Sequence, residues 1–151
     1  MVFKSIEELK DYILFHIQSA ILKSQEQIYQ IIDRFIKEYY AEFTPEMDER
    51  TYQLYKSLVK SDIIVTNNEC KAHVYFDIDA LDYAMKTIGG KLVSNTNKGW
   101  SEEEIFLTAA HGSHGGYVKG TAIWDTPLNI INTEAYNILK RMLISEGIPL
   151  K

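Results

Sequence analysis

The chain has 151 residues, the length of one domain with a core large enough to fold without disulfides. Its net charge of −5 disfavours nucleic acid as a partner, because a phosphate-binding surface needs a basic face. No apolar run approaches the roughly 20 residues that span a bilayer, so we expect no membrane partner. The single cysteine, Cys70, cannot form an internal disulfide and fits a reducing compartment such as the cytoplasm.

The first 43 residues predict one long helix. Residues 4–43 contain no glycine and no proline, and Ser5 with Glu8 has the spacing of a capping box. Ser24 interrupts the apolar stripe and, with Gln27, is able to cap a second helix, so a kinked pair of helices is the alternative to the continuous helix that we expect. The apolar residues recur at helical spacing and are Ile6, Leu9, Ile13, Ile17, Ile21, Ile28, Ile32, Phe35, Tyr39 and Phe43.

The length of this helix predicts self-association. About 39 helical residues span roughly 58 Å, whereas a compact chain of this size has a diameter of about 40 Å. Either the helix folds back at Ser24, or another copy covers the apolar stripe that extends past the domain. We expect the second arrangement, with Ile28, Ile32, Phe35 and Tyr39 in the subunit interface.

Residues 50–130 predict a small antiparallel sheet with loops. Residues 50–58 suit a short helical turn before a strand, and residues 62–79 suit a hairpin with Asn67 and Asn68 at its turn. In the second arm, residues 72–78 alternate between apolar and polar side chains, which is typical of a half-buried strand. Residues 80–88 predict a short helix closed by Gly89 and Gly90, followed by a polar loop at 89–99.

The last part of the chain predicts a terminal helix at 133–147. Thr133 would begin it, Gly147 suits the position just past its end, and Pro149 follows. Together these elements predict a single α+β domain over residues 1–151, with the long N-terminal helix and the C-terminal helix packed on the small antiparallel sheet.

The stretch AAHGSHGGY at 109–117 raises the question of a metal site. His111 and His114, together with Cys70 and His73, provide thiolate and imidazole groups of the kind that zinc binds. The spacing is less favourable, because residues three apart on a regular strand point to opposite faces. A metal-binding module or metal-dependent enzyme using these four residues is therefore the alternative hypothesis, and the main expectation is no metal, no cofactor and no catalysis.

The same glycine-rich stretch also suits a docking loop. Glycine leaves the backbone free to become ordered on a partner, and tryptophan is enriched where proteins meet. The residues that we expect at such a contact are Trp100, His111, Tyr117 and Trp124.

The order of segments resembles that of the small tail-completion proteins (neck, or head–tail joining proteins) of long-tailed bacteriophages and their prophages. A long amphipathic helix comes first, and DERTYQLYKSLV at 48–59 is similar to an E-R-T-x-x-L-x-x-S segment that leads into the first strand. A hairpin, the HGSHGGY loop and the terminal EAYNILKRMLISEGIPLK follow. The chain departs from the R-P-F-like turn of that family, since WDTPLNI carries Pro127 and Leu128 without the arginine.

The resemblance implies an α+β fold and a non-catalytic role in joining the tail to the filled head, usually as a ring of copies. The implied partners are other copies of the chain and other virion head or tail proteins. The implied location is the bacterial host cytoplasm during assembly and then the virion. A host-directed interaction protein, such as an inhibitor, is a third reading that the acidic composition also allows.

Overall fold

The computed structural model describes residues 2–42, 53–66, 69–80, 85–88, 91–94, 106–107, 110–111, 113–114, 118–119 and 122–150. It has an α+β fold, in which a long N-terminal helix and a C-terminal helix accompany short antiparallel strand pairs. The helices are α1 (Ile6–Glu42), α2 (Gln53–Ser57) and α3 (Asp125–Ser145). The strands are β1 (Leu58–Lys60), β2 (Ile64–Val65), β3 (Cys70–Lys71), β4 (Val74–Phe76), β5 (Met85–Ile88), β6 (Lys91–Ser94), β7 (Ser113–His114) and β8 (Val118–Lys119).

Helix α1 is continuous over 37 residues, or about 55 Å. It begins as predicted, because the Ser5 hydroxyl accepts a hydrogen bond from the backbone N–H of Glu8 at 3.1 Å. Ser24 does not break it, since its buried hydroxyl donates to the carbonyl oxygen of Ala20 at 2.8 Å within the same helix. The continuous helix is confirmed, and Phe43, its predicted last residue, lies outside the described residues.

The predicted hairpin exists, but its strands run from Leu58 to Phe76 rather than from residue 62 to residue 79. Helix α2 leads directly into β1, which pairs with β4, while β2 pairs with β3 farther along the same chain reversal. Residues 72–76 alternate between inward and exposed side chains, and Phe76 is buried. We call these four strands the ribbon. The alternation confirms the predicted half-buried strand, and Leu58 and Phe76 of the ribbon lie in one buried cluster with Ile36 of helix α1.

The ribbon is interrupted between its two strand pairs, and Gln25 of helix α1 occupies the interruption. Its side-chain Nε2 donates to the carbonyl oxygens of Ser61 at 2.9 Å and His73 at 2.8 Å. Ser61 and His73 also bind one another, because the Ser61 N–H donates to the His73 carbonyl and the His73 N–H donates to the Ser61 hydroxyl. The buried amide of Gln25 thus satisfies backbone carbonyls at the interruption.

The expectation of a short helix at 80–88 and a polar loop at 89–99 is wrong at residues 85–88 and 91–94. Residues 85–88 form β5 and residues 91–94 form β6, paired antiparallel from Met85↔Ser94 to Ile88↔Lys91. Two glycines stand between Ile88 and Lys91, a spacing that suits a two-residue hairpin turn as well as a helix end. The glycine pair was therefore an ambiguous signal.

The terminal helix begins at Asp125, eight residues before the predicted start at Thr133. Pro127 falls in its first turn, where proline is tolerated because the missing N–H has no helical partner. The Thr133 hydroxyl donates to the Asn129 carbonyl at 2.9 Å and so lies within the helix rather than capping it. The predicted end is confirmed, since Gly147 has φ +80° and the Ile148 N–H donates to the Leu143 carbonyl.

The core lies where α1, the ribbon and the start of α3 meet. Burial of apolar side chains from these elements holds the C-terminal half of α1 to the rest of the fold. The buried apolar residues of this cluster are Ile32, Ile36, Leu54, Leu58, Phe76 and Ile123.

Candidate functional site

The end of α3 is fastened to the middle of α1 through one carboxylate. Glu146, just past α3, accepts a hydrogen bond from the Ser19 hydroxyl at 2.9 Å, and Lys23 Nζ contacts the same oxygen. The Nδ1 atom of His16 lies 3.2 Å from the second oxygen of Glu146. Contacts from Lys23, His16 and Ser19 lower the pKa of the Glu146 carboxyl from 4.5 to about 2. Helix α3 therefore ends beside residues 16–23 of α1.

The part of α1 that precedes this fastening projects beyond the end of α3. Residues 6–15 make up roughly ten helical residues, or about 15 Å. We call them the projecting end. The rings of Phe3, Tyr12 and His16 contact one another in tilted pairs along its side, with centroids 5.2 Å apart for Phe3 and Tyr12 and 4.3 Å apart for Tyr12 and His16. This aromatic row connects the projecting end to the Glu146 cluster.

One side of α1 loses its cover at the projecting end. Ile6, Ile13 and Ala20 are seven residues apart and so share a face of the helix. Ala20, beside the residues that bind Glu146, is 0% exposed, whereas Ile13 is 40% and Ile6 is 83% exposed. Leu9 lies between them on the same side. The Ile13 face, defined as Ile6, Leu9 and Ile13, is thus an apolar stripe that runs out past the end of α3.

A second side of α1 shows the same gradient. Phe15, Leu22, Tyr29 and Ile36 are also seven residues apart. Ile36 is 0% exposed in the core, whereas Leu22 is 45% and Phe15 is 66% exposed. We call Phe15 and Leu22 the Phe15 face. The ribbon and the core cover this same side of α1 from Gln25 onward.

The two faces lie on opposite sides of the helix. Ile6 and Phe15 are nine residues apart, which at about 100° per residue is a rotation of about 180°. An ordinary surface helix has one apolar side that faces its own core. A helix end with exposed apolar side chains on both sides is therefore a candidate interaction surface.

The residues predicted for the subunit interface lie nearer the core than this surface. Ile32 is buried in the core, and Ile28 and Tyr39 pack against it. Burial raises the pKa of the Tyr39 phenol to about 12, and the neighbouring Tyr40 adds to the shift. Phe35 is half-buried, with the Arg34 guanidinium 5.1 Å from its ring centroid. The exposed large apolar side chains of α1 lie instead between Ile6 and Leu22.

The residues predicted for a docking loop are placed as follows. Trp124 packs against Phe76 of the core, with ring centroids 5.8 Å apart, and so serves the fold. His111 is exposed, and its Nδ1 lies 2.7 Å from Oδ2 of Asp125, the first residue of α3. Trp100 and Tyr117 lie outside the described residues. The His111 contact joins the start of the glycine-rich stretch to the terminal helix.

The four residues of the metal hypothesis do not form a described site. Within the described residues, no three His, Cys, Asp or Glu side chains converge as ligands would. His73 is exposed, and burial raises the pKa of the half-buried Cys70 thiol, which disfavours the thiolate that zinc binds. A carboxylate does orient the His111 ring, as in many metal sites. His114 lies in β7, and its side chain is outside the described part.

No protein-family model, no curated protein and no solved structure matches this chain. In the part of the chain that the structure covers, no helix combines the length and apolar content needed to cross a membrane.

The Glu146 cluster predicts a loss of stability in acid. A carboxyl with a lowered pKa contributes stability above its ordinary pKa of 4.5, and the contribution is lost as the pH falls toward about 2. We expect the melting temperature of Glu146→Gln to lie below that of the wild type at neutral pH. The difference should shrink as the pH falls from 4.5 toward 2, as thermal unfolding followed by circular dichroism will show.

The matched control for this prediction is Glu134→Gln in the same helix. The Glu134 carboxylate is contacted by Asn137 at 3.4 Å rather than by the three donors that meet Glu146. We therefore expect a smaller and flatter difference from the wild type. A Glu146→Gln difference that stays constant from neutral pH to pH 2 would contradict the assignment of Glu146 as the acid-sensitive group.

Proposed function

We propose that this chain is a non-catalytic structural assembly protein of a bacteriophage or prophage, which joins head and tail and acts as a homo-oligomer. The observation that supports it best is the projecting end of α1, with exposed apolar side chains on two sides. The order of segments, similar to that of tail-completion proteins, supplies the biological setting. On this proposal the protein assembles in the host cytoplasm and ends in the virion, where it contacts other head or tail proteins.

The free energy gained by burying one apolar face is small, so it favours an assembly in which each copy makes several contacts. Full burial of a side chain such as isoleucine or phenylalanine contributes about 1.5–3 kcal/mol. The Ile13 face and the Phe15 face hold three and two such side chains, each already partly covered. One face therefore supplies a few kcal/mol, which is near the lower end of the roughly 4–15 kcal/mol that association costs. Stable association requires several such contacts at once, as an oligomer provides.

A genetic experiment tests the role in head–tail joining. In the phage or prophage that carries the gene, its deletion is expected to leave filled heads and free tails in the lysate, as seen by electron microscopy. Addition of the purified chain should then restore joined particles. Normal particles from the deletion strain would refute the proposed function and would favour the host-directed reading.

Sedimentation velocity tests the oligomer separately. Over a wide range of protein concentration, the purified chain is expected to sediment as species larger than a monomer, because the projecting end buries its apolar side chains between copies. A compact monomer at the highest concentration would contradict self-association in the absence of other virion proteins.

A further inference from the structure

We infer that the Glu146 cluster, which consists of Glu146 with His16, Ser19 and Lys23, divides the start of α1 into two parts that unwind separately. Residues 6–15 unwind and rewind on their own, whereas residues 16–23 stay helical for as long as the Glu146 carboxylate holds them. The end of α3 therefore controls how much of α1 exists as a preformed helix.

Exposure along α1 changes abruptly at the cluster. Of residues 6–15, Tyr12 and Leu14 are half-buried and the other eight are exposed. Of residues 16–25, Leu22 and Lys23 are exposed and the other eight are buried or half-buried. The change falls at His16, the first residue of α1 that reaches Glu146. The fold thus covers α1 from the cluster onward and leaves most of the preceding ten residues in water.

Ten helical residues without cover are marginally stable. Isolated helices shorter than about 12–15 residues are marginal in water, because nucleation of a helix is costly. The projecting end has a hydrogen bond from the Glu8 N–H to the Ser5 hydroxyl and a ring contact between Phe3 and Tyr12. Both contacts are local, so they break together with the turns that carry them. Segments with few buried contacts open at little cost in free energy, so residues 6–15 open while the rest of the fold stays closed.

The three donors of the cluster meet one carboxylate because this part of α1 is helical. At about 100° per residue, His16, Ser19 and Lys23 lie within an arc of about 60° on the helix. The helix separates His16 from Lys23 by about 10 Å, whereas an extended chain would separate them by about 23–25 Å. Ser19 and Lys23 contact one oxygen of Glu146, and the second oxygen lies 3.2 Å from His16. Unwinding residues 16–23 therefore breaks contacts with Glu146, and the cluster opposes it.

Shielding from water strengthens the hold of this carboxylate. The Glu146 side chain is 10% exposed and that of His16 is 20% exposed. Hydrogen bonds to a charged carboxylate are stronger than those between neutral groups. Among the described residues, the cluster is also the first long-range polar contact along α1, and the next is the bridge from Gln25 to the ribbon. The boundary between the two parts of α1 therefore falls at the cluster.

This arrangement couples the end of α3 to the start of α1. A contact that draws Glu146 away from α1 lets residues 16–23 unwind together with residues 6–15. Helix formation is cooperative, so a contact that covers residues 6–15 completes the helix from Ile6 and strengthens its hold on Glu146. Such a coupling acts equally in both directions.

Hydrogen exchange followed by mass spectrometry tests the boundary, at a concentration where the chain sediments as a monomer. In the wild type, residues 6–15 are expected to exchange almost as fast as an unstructured chain, residues 16–23 more slowly and core residues 28–36 most slowly. In Glu146→Gln, exchange at residues 16–23 should be about 5–30-fold faster. Exchange at residues 6–15 should not change, because their opening leaves the cluster intact. Residues 28–36 should accelerate by no more than the factor at 16–23, since global unfolding also breaks the cluster.

Two variants of Lys23 are the matched pair. Methionine, arginine and lysine have similar helix propensities, but arginine still donates to the Glu146 carboxylate and methionine does not. Lys23→Met should speed exchange at residues 16–23 less than Glu146→Gln does, because two donors remain, and Lys23→Arg should keep the wild-type rate. Added to Glu146→Gln, Lys23→Met should have little further effect.

Three results would overturn the inference. Equal acceleration of residues 6–15 and 16–23 in Glu146→Gln would show that they open as one unit. An unchanged rate at residues 16–23 would show that Glu146 does not hold them. Exchange at residues 6–15 as slow as in the core, in the monomeric wild type, would show that the first turns do not open on their own.

Discussion

Replacing Ile36 with alanine is expected to lower the free energy of unfolding by about 2–5 kcal/mol, the range for large-to-alanine changes in close-packed cores. Ile36 is 0% exposed and lies in the cluster that joins α1 to the ribbon and to the start of α3. Removing its side chain leaves a cavity among residues from several elements. Urea unfolding followed by circular dichroism measures the change.

The control is Ile6→Ala, the same substitution in the same helix. Ile6 is 83% exposed at the projecting end, so the free energy of unfolding should change by less than about 0.5 kcal/mol. The comparison is made at a concentration where the protein is monomeric, since self-association would add to the stability. Equal losses at Ile6 and Ile36 would contradict the placement of the core at the C-terminal half of α1.

Replacing Gln25 with leucine is expected to cost about 1–3 kcal/mol of unfolding free energy, because buried polar groups lose their hydrogen-bond partners. The Gln25 amide donates to the carbonyls of Ser61 and His73 at the interruption of the ribbon. Leucine has a similar size and cannot donate, so the loss reports the hydrogen bonds rather than a cavity. Chemical unfolding at neutral pH measures it.

Two further variants isolate the cause of this effect. Gln30→Leu removes an exposed glutamine whose Nε2 donates to Glu26, and it should cost much less. Gln25→Glu places a carboxyl opposite two carbonyl oxygens, which disfavours its charged form and raises its pKa in the folded state. Its cost relative to the wild type should therefore fall as the pH is lowered and the carboxyl is protonated, whereas the cost of Gln25→Leu should not. Equal costs for Gln25→Leu and Gln30→Leu would contradict the bridging role of Gln25.

The sequence predicted correctly the helix ends that depend only on neighbouring residues. The start of α1 at Ser5 and the end of α3 at Gly147 follow from capping chemistry within a few residues. The glycine pair between Ile88 and Lys91 did not suffice, because the same residues close a helix or turn a hairpin. Thr133 was wrongly predicted to begin the terminal helix, because a threonine inside a helix cannot be distinguished from a capping threonine by sequence alone.

The sequence predicted that part of α1 is uncovered, but it did not predict which part. The apolar stripe and the mismatch in length were visible in the sequence and indicated an uncovered part of α1. The stripe is nearly uniform, however, so the sequence does not show which turns the chain covers with its own core. Ile32 was expected at an interface and lies in the core, whereas Phe15 was not singled out and is exposed.

Long-range polar contacts were beyond the reach of the sequence. Glu146 meets His16 and Ser19 across more than a hundred residues, and Gln25 meets His73 across 48. No local pattern marks these pairs, since glutamate and glutamine are ordinary residues on helix surfaces. The polar residue Gln25, beside Ser24 in the apolar stripe, was a signal that the sequence analysis did not use, since a polar residue there fits a buried hydrogen bond as well as a break.

The continuity of α1 from Ile6 to Glu42 has a mechanical consequence. A helix without a hinge moves as a rigid rod. A rotation of its N-terminal part therefore also moves the core that surrounds its C-terminal part. At about 55 Å in length, a tilt of a few degrees displaces the far end by several ångströms. A partner that binds the first turns of α1 therefore determines the orientation of the rest of the domain.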